Sequence, residues 1–80
     1  MRLIWKQTFP GKTNDFSGRD PDNPPAYCRV YLSQIQNKPW FWVASREGGQ
    51  IGSGYELTAE EAAEQAEAAY FWRPVGDGRY

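Results

Sequence analysis

The spacing of apolar and polar residues predicts three β-strands in the first two thirds of the chain. Residues 3–8, 27–35 and 40–45 alternate between apolar and polar side chains, which is the period of a strand with one buried face. Only residues 36–39 separate the second and third segments, so these two are expected to form an antiparallel hairpin. Alternation places Trp40 and Trp42 on one face of the hairpin and Phe41 on the other.

The pattern changes to a helical period after Thr58. Thr58 and Glu61 have the spacing of a capping box, a signature of a helix start. Apolar residues then recur on one helical face, namely Ala59, Ala62, Ala63, Ala66, Ala69 and Tyr70. Pro74 ends the predicted helix. The predicted fold class is therefore α+β, with a three-stranded antiparallel sheet packed by one C-terminal helix in the order β-β-β-α.

The segments between these elements are rich in glycine and proline and are predicted to be irregular. Residues 9–26 are expected to form a long connection, with a short extended piece at residues 15–17. Residues 46–54 are expected to form a flexible loop, and residues 74–80 a loose tail. The whole chain, residues 1–80, is predicted to be one domain. Because a chain this short buries only about 60% of its unfolded surface, dimerisation is a reasonable expectation.

The composition argues against an enzyme, a cofactor or a metal. The chain has no His, so the most common proton shuttle is missing, and Cys28 is its one cysteine. Cys28 falls on the apolar side of its strand, where a small buried hydrophobe is expected. Nothing in the sequence has the length of a signal peptide or a membrane span, so we expect a cytoplasmic protein of a bacterial host cell with no membrane partner.

The charge is distributed unevenly along the chain. Residues 1–50 contain seven Lys and Arg against four Asp and Glu, whereas residues 51–80 contain two against six. The net charge of −1 argues against a general nucleic-acid-binding protein, since such domains are usually basic. The distribution of charge along the chain is therefore more informative than the net charge.

An acidic stripe is predicted on the helix. Residues 56–67 contain five glutamates, Glu56, Glu60, Glu61, Glu64 and Glu67, and no Lys or Arg. Helical spacing places Glu60, Glu64 and Glu67 in one row, with Glu61 beside it. A solvated helix usually mixes Glu with Lys four residues apart, which relieves repulsion. The stripe is either a plain solvated face or a surface that docks on a basic partner.

The aromatic residues are too many for one small core. One alanine-rich helix covers a single side of a sheet, so Tyr31 and either Phe41 or the pair Trp40 and Trp42 are expected outside it. Alternatively, residues 9–26 or 71–72 fold over these rings. An uncovered patch would serve as a protein-binding surface, as a dimer interface, or as a platform for nucleic-acid bases with Arg29 and Lys38 nearby.

Three motifs carry a resemblance to known groups. Trp40-Phe41-Trp42, Ser53-Gly54-Tyr55, and residues 58–70 with Glu61-Ala62 and Glu67 resemble a group of short uncharacterised bacterial and phage proteins, over residues 27–72. The β-β-β-α order is also similar to the later part of a double-stranded-RNA-binding domain. That family has Lys at the start of its last helix, where this chain has Glu60 and Glu61. As a small, acidic, aromatic-rich type, the chain further resembles phage-encoded anti-CRISPR inhibitors.

The resemblance to anti-CRISPR inhibitors implies a non-enzymatic protein-binding function. We expect the acidic helix face and exposed aromatics to dock on a basic surface of a CRISPR–Cas effector complex and to hinder target DNA binding. The predicted partner-binding residues are Glu56, Glu60, Glu61, Glu64, Glu67, Tyr31, Trp40 and Trp42. The alternatives are a small nucleic-acid-binding module that uses sheet aromatics, and a homodimerising interaction domain.

Overall fold

A computed structural model describes residues 2–33, 37–46 and 49–72. These residues form one antiparallel sheet and one helix. The sheet contains β1 (Ile4–Gln7), β2 (Asp15–Arg19), β3 (Tyr27–Leu32), β4 (Trp40–Arg46) and β5 (Gly49–Glu56). Its strands pair in chain order, so β1 and β5 form the two edges. The helix α1 (Ala59–Phe71) follows β5 and packs on β3, β4 and β5.

The predicted α+β class is confirmed, but the predicted number of strands is wrong. β1, β3 and β4 correspond to the three expected strands, and β2 and β5 lie in segments that were expected to be irregular. The short extended piece expected at residues 15–17 is part of β2. Glycines explain both errors, because they occur where an indole ring crosses the strand. A Cβ on Gly18 of β2 would lie 2.7 Å from Trp5, and a Cβ on Gly54 of β5 would lie 2.8 Å from Trp42. These glycines make room for tryptophans and do not mark a loop.

The ends of two elements also differ from the sequence-based expectation. β3 ends at Leu32, and the N–H of Ser33 donates to the carbonyl of Pro39 at 2.6 Å. This hydrogen bond closes the connection to β4. Residues 34–36 and the predicted tail at residues 74–80 lie outside the described residues. Trp72 has extended backbone angles, so α1 ends at Phe71, before Pro74 is reached.

The predicted start of the helix is confirmed. Thr58 is the N-cap, and its hydroxyl accepts the N–H of Glu61 at 3.1 Å. Glu60 and Glu61 occupy the first turn, where the helix dipole favours negative charge.

The core lies between α1 and one face of the sheet. Its buried side chains are Leu3, Ala26, Cys28, Val30, Trp42, Ala44, Ala62, Ala63, Ala66 and Tyr70. Alanines and a glycine allow close approach, because a Cβ on Gly52 would lie 3.2 Å from the Cβ of Ala69. Cys28 is fully buried, and burial raises the pKa of its thiol to about 12. We call the opposite side of the sheet, which α1 does not cover, the open face.

Candidate binding surfaces

Three aromatic rings form a row on the open face. Tyr31, Phe41 and Tyr55 lie opposite one another on β3, β4 and β5. The ring centroids of Tyr31 and Phe41 are 5.3 Å apart, and those of Phe41 and Tyr55 are 5.1 Å apart. Tyr31 and Phe41 are half-buried, and Tyr55 is exposed. We call these three residues the aromatic ladder.

Two arginines lie over tyrosine rings of the same face. The guanidinium of Arg29 is 5.0 Å from the ring centroid of Tyr31, and that of Arg19 is 5.2 Å from the ring centroid of Tyr27. At these distances each cation is attracted to the face of the ring below it. The open face therefore presents flat cations and aromatic rings side by side.

An ion pair fixes Arg29 in this position. Its Nε donates to Oδ1 of Asp15 at 3.0 Å, and its Nη2 donates to Oδ2 at 2.6 Å. The hydrogen bonds from Arg29 hold the pKa of Asp15 below its ordinary value, although burial acts in the opposite direction. The side chain of Arg29 remains 38% exposed, so part of the guanidinium is available to a ligand.

A groove with basic and hydroxyl side chains lies beside this arginine, over β1 and β2. It has a volume of about 370 Å³ and is lined by Ile4, Lys6, Gln7, Thr8, Ser17, Arg19 and Pro21. The hydroxyls of Thr8 and Ser17 are hydrogen-bonded to each other at 2.7 Å. The two cations, Lys6 and Arg19, are donors that suit phosphate oxygens. We call this feature the basic groove.

The strand register connects the basic groove to the aromatic ladder. Arg29 on β3 lies opposite Ser17 of the groove and opposite Val43 of β4, so it stands between the two features. Four strand spacings separate β1 from β5, which makes the open face about 19 Å wide. Among the strand residues that the structure describes on this face, Asp15 is the one carboxylate, and Arg29 neutralises it. The described face is therefore basic and aromatic.

The acidic stripe predicted on the helix is smaller than expected, because one of its glutamates is buried. Glu67 is only 7% exposed and is bound to the start of the chain. Its carboxylate accepts the N–H of Arg2 at 2.9 Å, the N–H of Leu3 at 2.9 Å and the indole N–H of Trp5 at 2.7 Å. Burial alone would raise the pKa of Glu67, but these hydrogen bonds outweigh it and lower the pKa. Glu67 is a structural residue, and the prediction that it faces solvent is wrong.

One feature of the sequence indicates that Glu67 is buried. Position 67 follows Ala63 by four residues and precedes Tyr70 by three, so it shares their buried face. Its donors are two backbone amides and one indole from the other end of the chain, and these could not be inferred from residues 56–67 alone.

The tryptophans expected in the binding patch lie on the covered face. Trp42 is 9% exposed beneath α1, so the prediction that it lies in an exposed patch is wrong. Its indole N–H points to the carboxylate of Glu56 at 3.4 Å, and Glu56 is half-buried. Trp40 is half-buried beside Phe16, with ring centroids 6.4 Å apart. Alternation places both tryptophans on the face that carries Val30, and α1 covers this face.

Three of the predicted glutamates remain at the surface. Glu60, Glu61 and Glu64 are exposed, and no ion pair involves them within the described ranges. We call these three residues the acidic helix surface. Lys38 is exposed in the connection between β3 and β4. Tyr31 is on the open face as expected, and its neighbour Tyr55 was missed because β5 was interpreted as a loop.

Comparison with protein-family models, with curated proteins and with solved structures finds no match to this chain. In the part of the chain that the structure describes, no helix has the length and apolarity needed to cross a membrane. Residues 2–33, 37–46 and 49–72 also contain no group of three or more His, Cys, Asp or Glu placed to hold a metal ion. The surface geometry therefore carries the functional argument.

Proposed function

We propose that this chain is a non-enzymatic binding domain that holds single-stranded nucleic acid on the open face of its sheet. Unpaired bases stack on the aromatic ladder, while backbone phosphates contact Arg29 and the basic groove. The observation that carries this proposal is the row of three rings beside three cations on a sheet face that α1 leaves uncovered.

Stacking favours a single strand over a duplex. Every base has an aromatic face, and stacking on an aromatic side chain contributes about 1–3 kcal/mol per base. In a duplex the bases already stack on each other, and their faces are not available to the ladder. Three adjacent rings offer stacking positions for a short run of bases, with little dependence on their identity.

The positive and negative charges lie on different sides of the molecule, so the negative net charge does not prevent the open face from binding nucleic acid. Lys6, Arg19 and Arg29 belong to the open face, whereas the acidic helix surface lies on the helix side. A polyanion approaching the open face therefore meets local positive charge despite a net charge of −1. Because Asp15 already neutralises Arg29, two phosphates are matched by Lys6 and Arg19, which gives a slope of about −1.4 for log affinity against log salt.

The test is fluorescence anisotropy with labelled oligothymidine, oligouridine and a duplex at low salt. We expect the single strands to bind. The double variant Phe41→Leu/Tyr55→Leu keeps apolar bulk but removes two rings, so we expect affinity to fall by about tenfold or more. Phe9→Leu is the matched control, because Phe9 is an exposed phenylalanine outside the ladder, and it should bind as the wild type does.

Three results would contradict the proposal. The first is no binding of any single strand by the wild-type chain. The second is undiminished binding by the folded double variant. The third is equal affinity for the duplex, which would assign binding to phosphate contacts alone and leave the ladder without a role.

A second candidate function rests on the acidic helix surface. Glu60, Glu61 and Glu64 are exposed without a described ion pair, which favours docking on a basic protein surface. A CRISPR–Cas effector complex as that partner remains a prediction from the resemblance to anti-CRISPR inhibitors.

This candidate is tested by phage plaque counts on a CRISPR-bearing host that expresses the chain. The wild type is expected to restore plaques, and Glu60→Lys/Glu64→Lys is expected to abolish this effect. The open-face variant Phe41→Leu/Tyr55→Leu serves as the control and should retain it. Unchanged inhibition by the charge-reversed variant, or none by the wild type, would remove this function.

A further inference from the structure

The two edge strands of the sheet differ in their protection against pairing with another strand. β1 has four residues, and Lys6 lies within it. β5 has eight residues, with neither charge nor proline from Gly49 to Tyr55. Natural sheets protect their edges by short strands, by lysines, by prolines or by β-bulges. β1 has two of these protections, whereas β5 has only a register shift next to Ile51, which leaves residues 52–56 regular.

Exposed apolar side chains collect around the β5 edge. Ile51 and Tyr55 are 46% and 40% exposed within β5, and Leu57 and Trp72 are 58% and 66% exposed after β5 and α1. A groove of about 310 Å³ runs beside this edge, and it is lined by Trp42, Ile51, Gln65, Ala68, Ala69 and Trp72. An uncharged strand edge next to apolar surface is a feature of an interface.

We infer that β5 pairs antiparallel with β5 of a second copy of the chain, about a two-fold axis perpendicular to the sheet. Such an interface is self-complementary, because the outward N–H and C=O groups of one strand meet those of an identical strand running the other way. The pairing joins two five-stranded sheets into one of ten strands, with both helices on the same side.

Charge permits this pairing. Glu56 is the one charged residue of β5. In a register centred on Ser53 or Gly54, Glu56 lies opposite Gln50 or Gly52 of the second copy, both uncharged. The register of β5 with β4 shifts between Ala44 and Ser45, so regular pairing is confined to residues 52–56.

The available area fits a modest dimer. The exposed parts of the four apolar side chains amount to roughly 400 Å² per copy, about half of the ~800 Å² that each partner buries in a standard interface. The outward backbone of β5 and the exposed groove residues Gln65 and Ala68 add to this area. We therefore expect a dissociation constant on the order of micromolar.

The first test is sedimentation equilibrium of the full chain without nucleic acid, from about 1 μM to about 1 mM. The wild type should change from monomer to dimer across this range. Ile51→Lys should raise the dissociation constant at least tenfold, because it would place a charge in apolar surface that the pairing buries, opposite Tyr55 or Leu57 of the second copy. Ile4→Lys is the matched control on the other edge strand and should dimerise as the wild type does.

The second test is disulfide cross-linking under mild oxidation. The native Cys28 is fully buried and does not compete. Ser53→Cys should form a covalent dimer rapidly, whereas Ile4→Cys should not.

Three outcomes would overturn the inference. They are a monomer at every concentration, equal weakening by Ile51→Lys and Ile4→Lys, and cross-linking that favours Ile4→Cys. If the chain stays monomeric but the outward amides of β5 resist hydrogen exchange, another segment of the same chain covers this edge. Because no nucleic acid is present, failure here leaves the proposed function of the open face standing.

Discussion

The two faces of this sheet carry similar types of residue, but α1 buries one face and leaves the other uncovered. On the covered face, Trp42, Val30 and Cys28 are buried under α1. On the open face, Phe41 and Tyr31 alternate with them along the same strands and stay half-buried, beside arginines. Phe41 and Trp42 are neighbours in the chain, and the position of the helix leaves Phe41 on the open face and buries Trp42 in the core. The covered face should therefore govern stability, and the open face should govern binding.

The largest difference is expected from truncating the two neighbours. Trp42→Ala removes a buried indole and should lower the free energy of unfolding by about 3–5 kcal/mol, or abolish folding. Phe41→Ala removes a half-buried ring and should lower it by clearly less. Urea denaturation measures both. Equal losses would contradict the division of roles between the faces.

The next largest effect concerns Glu67. Glu67→Gln keeps one oxygen acceptor but replaces the other by an NH2 group, which cannot accept, so at least one of the three N–H donors loses its partner. We expect the free energy of unfolding to fall by about 1–3 kcal/mol. The matched control, Glu64→Gln, alters an exposed glutamate and should change it by no more than about 0.5 kcal/mol. If the two variants were equally stable, the anchoring role of Glu67 would be wrong.

The same carboxylate should make stability depend on pH. The folded state lowers the pKa of Glu67 below its ordinary value of 4.5. The resulting stabilisation is therefore complete above about pH 4.5 and is lost as the pH falls through the lowered folded value. Asp15 acts in the same direction from its ordinary value of 3.8. Urea midpoints at a series of acidic pH values should fall less steeply for Glu67→Gln than for the wild type. Identical profiles would contradict this assignment.

The smallest expected effect is electrostatic and belongs to the open face. Arg19→Ala removes one of the proposed phosphate contacts of the basic groove, so the slope of log affinity against log salt should become less steep by about 0.7. Lys12→Ala, an exposed lysine outside the groove, is the control and should leave the slope unchanged. Anisotropy titrations with oligothymidine at several salt concentrations measure this. If Lys12→Ala changed the slope more than Arg19→Ala, the phosphates would bind outside the basic groove.

Local signals were sufficient for part of this fold. The period-two alternation located β1, β3 and β4, and Thr58 with Glu61 located the start of α1, because these signals depend on neighbours in sequence. β5 was missed, and only the extended piece at residues 15–17 of β2 was expected, because Gly18, Gly52 and Gly54 resemble loop residues until the tryptophans that cross them are known. That information is tertiary and has no local signature.

The candidate surfaces show the same limit. Alternation correctly separated Phe41 from Trp40 and Trp42, but it could not tell which side the helix would cover. Tyr55 was missed together with β5, so a row of three rings could not be recognised. Glu67 was assigned to the acidic stripe because its donors belong to the first residues of the chain.

The central claim is that the open face, and not the helix side, holds single-stranded nucleic acid. The most direct measurement is a two-dimensional amide NMR titration with a short oligothymidine, since it reports binding residue by residue on the folded chain. We expect shift changes to concentrate at Arg29, Tyr31, Phe41 and Tyr55, with α1 unaffected. Changes confined to α1, or no changes at all, would contradict the account.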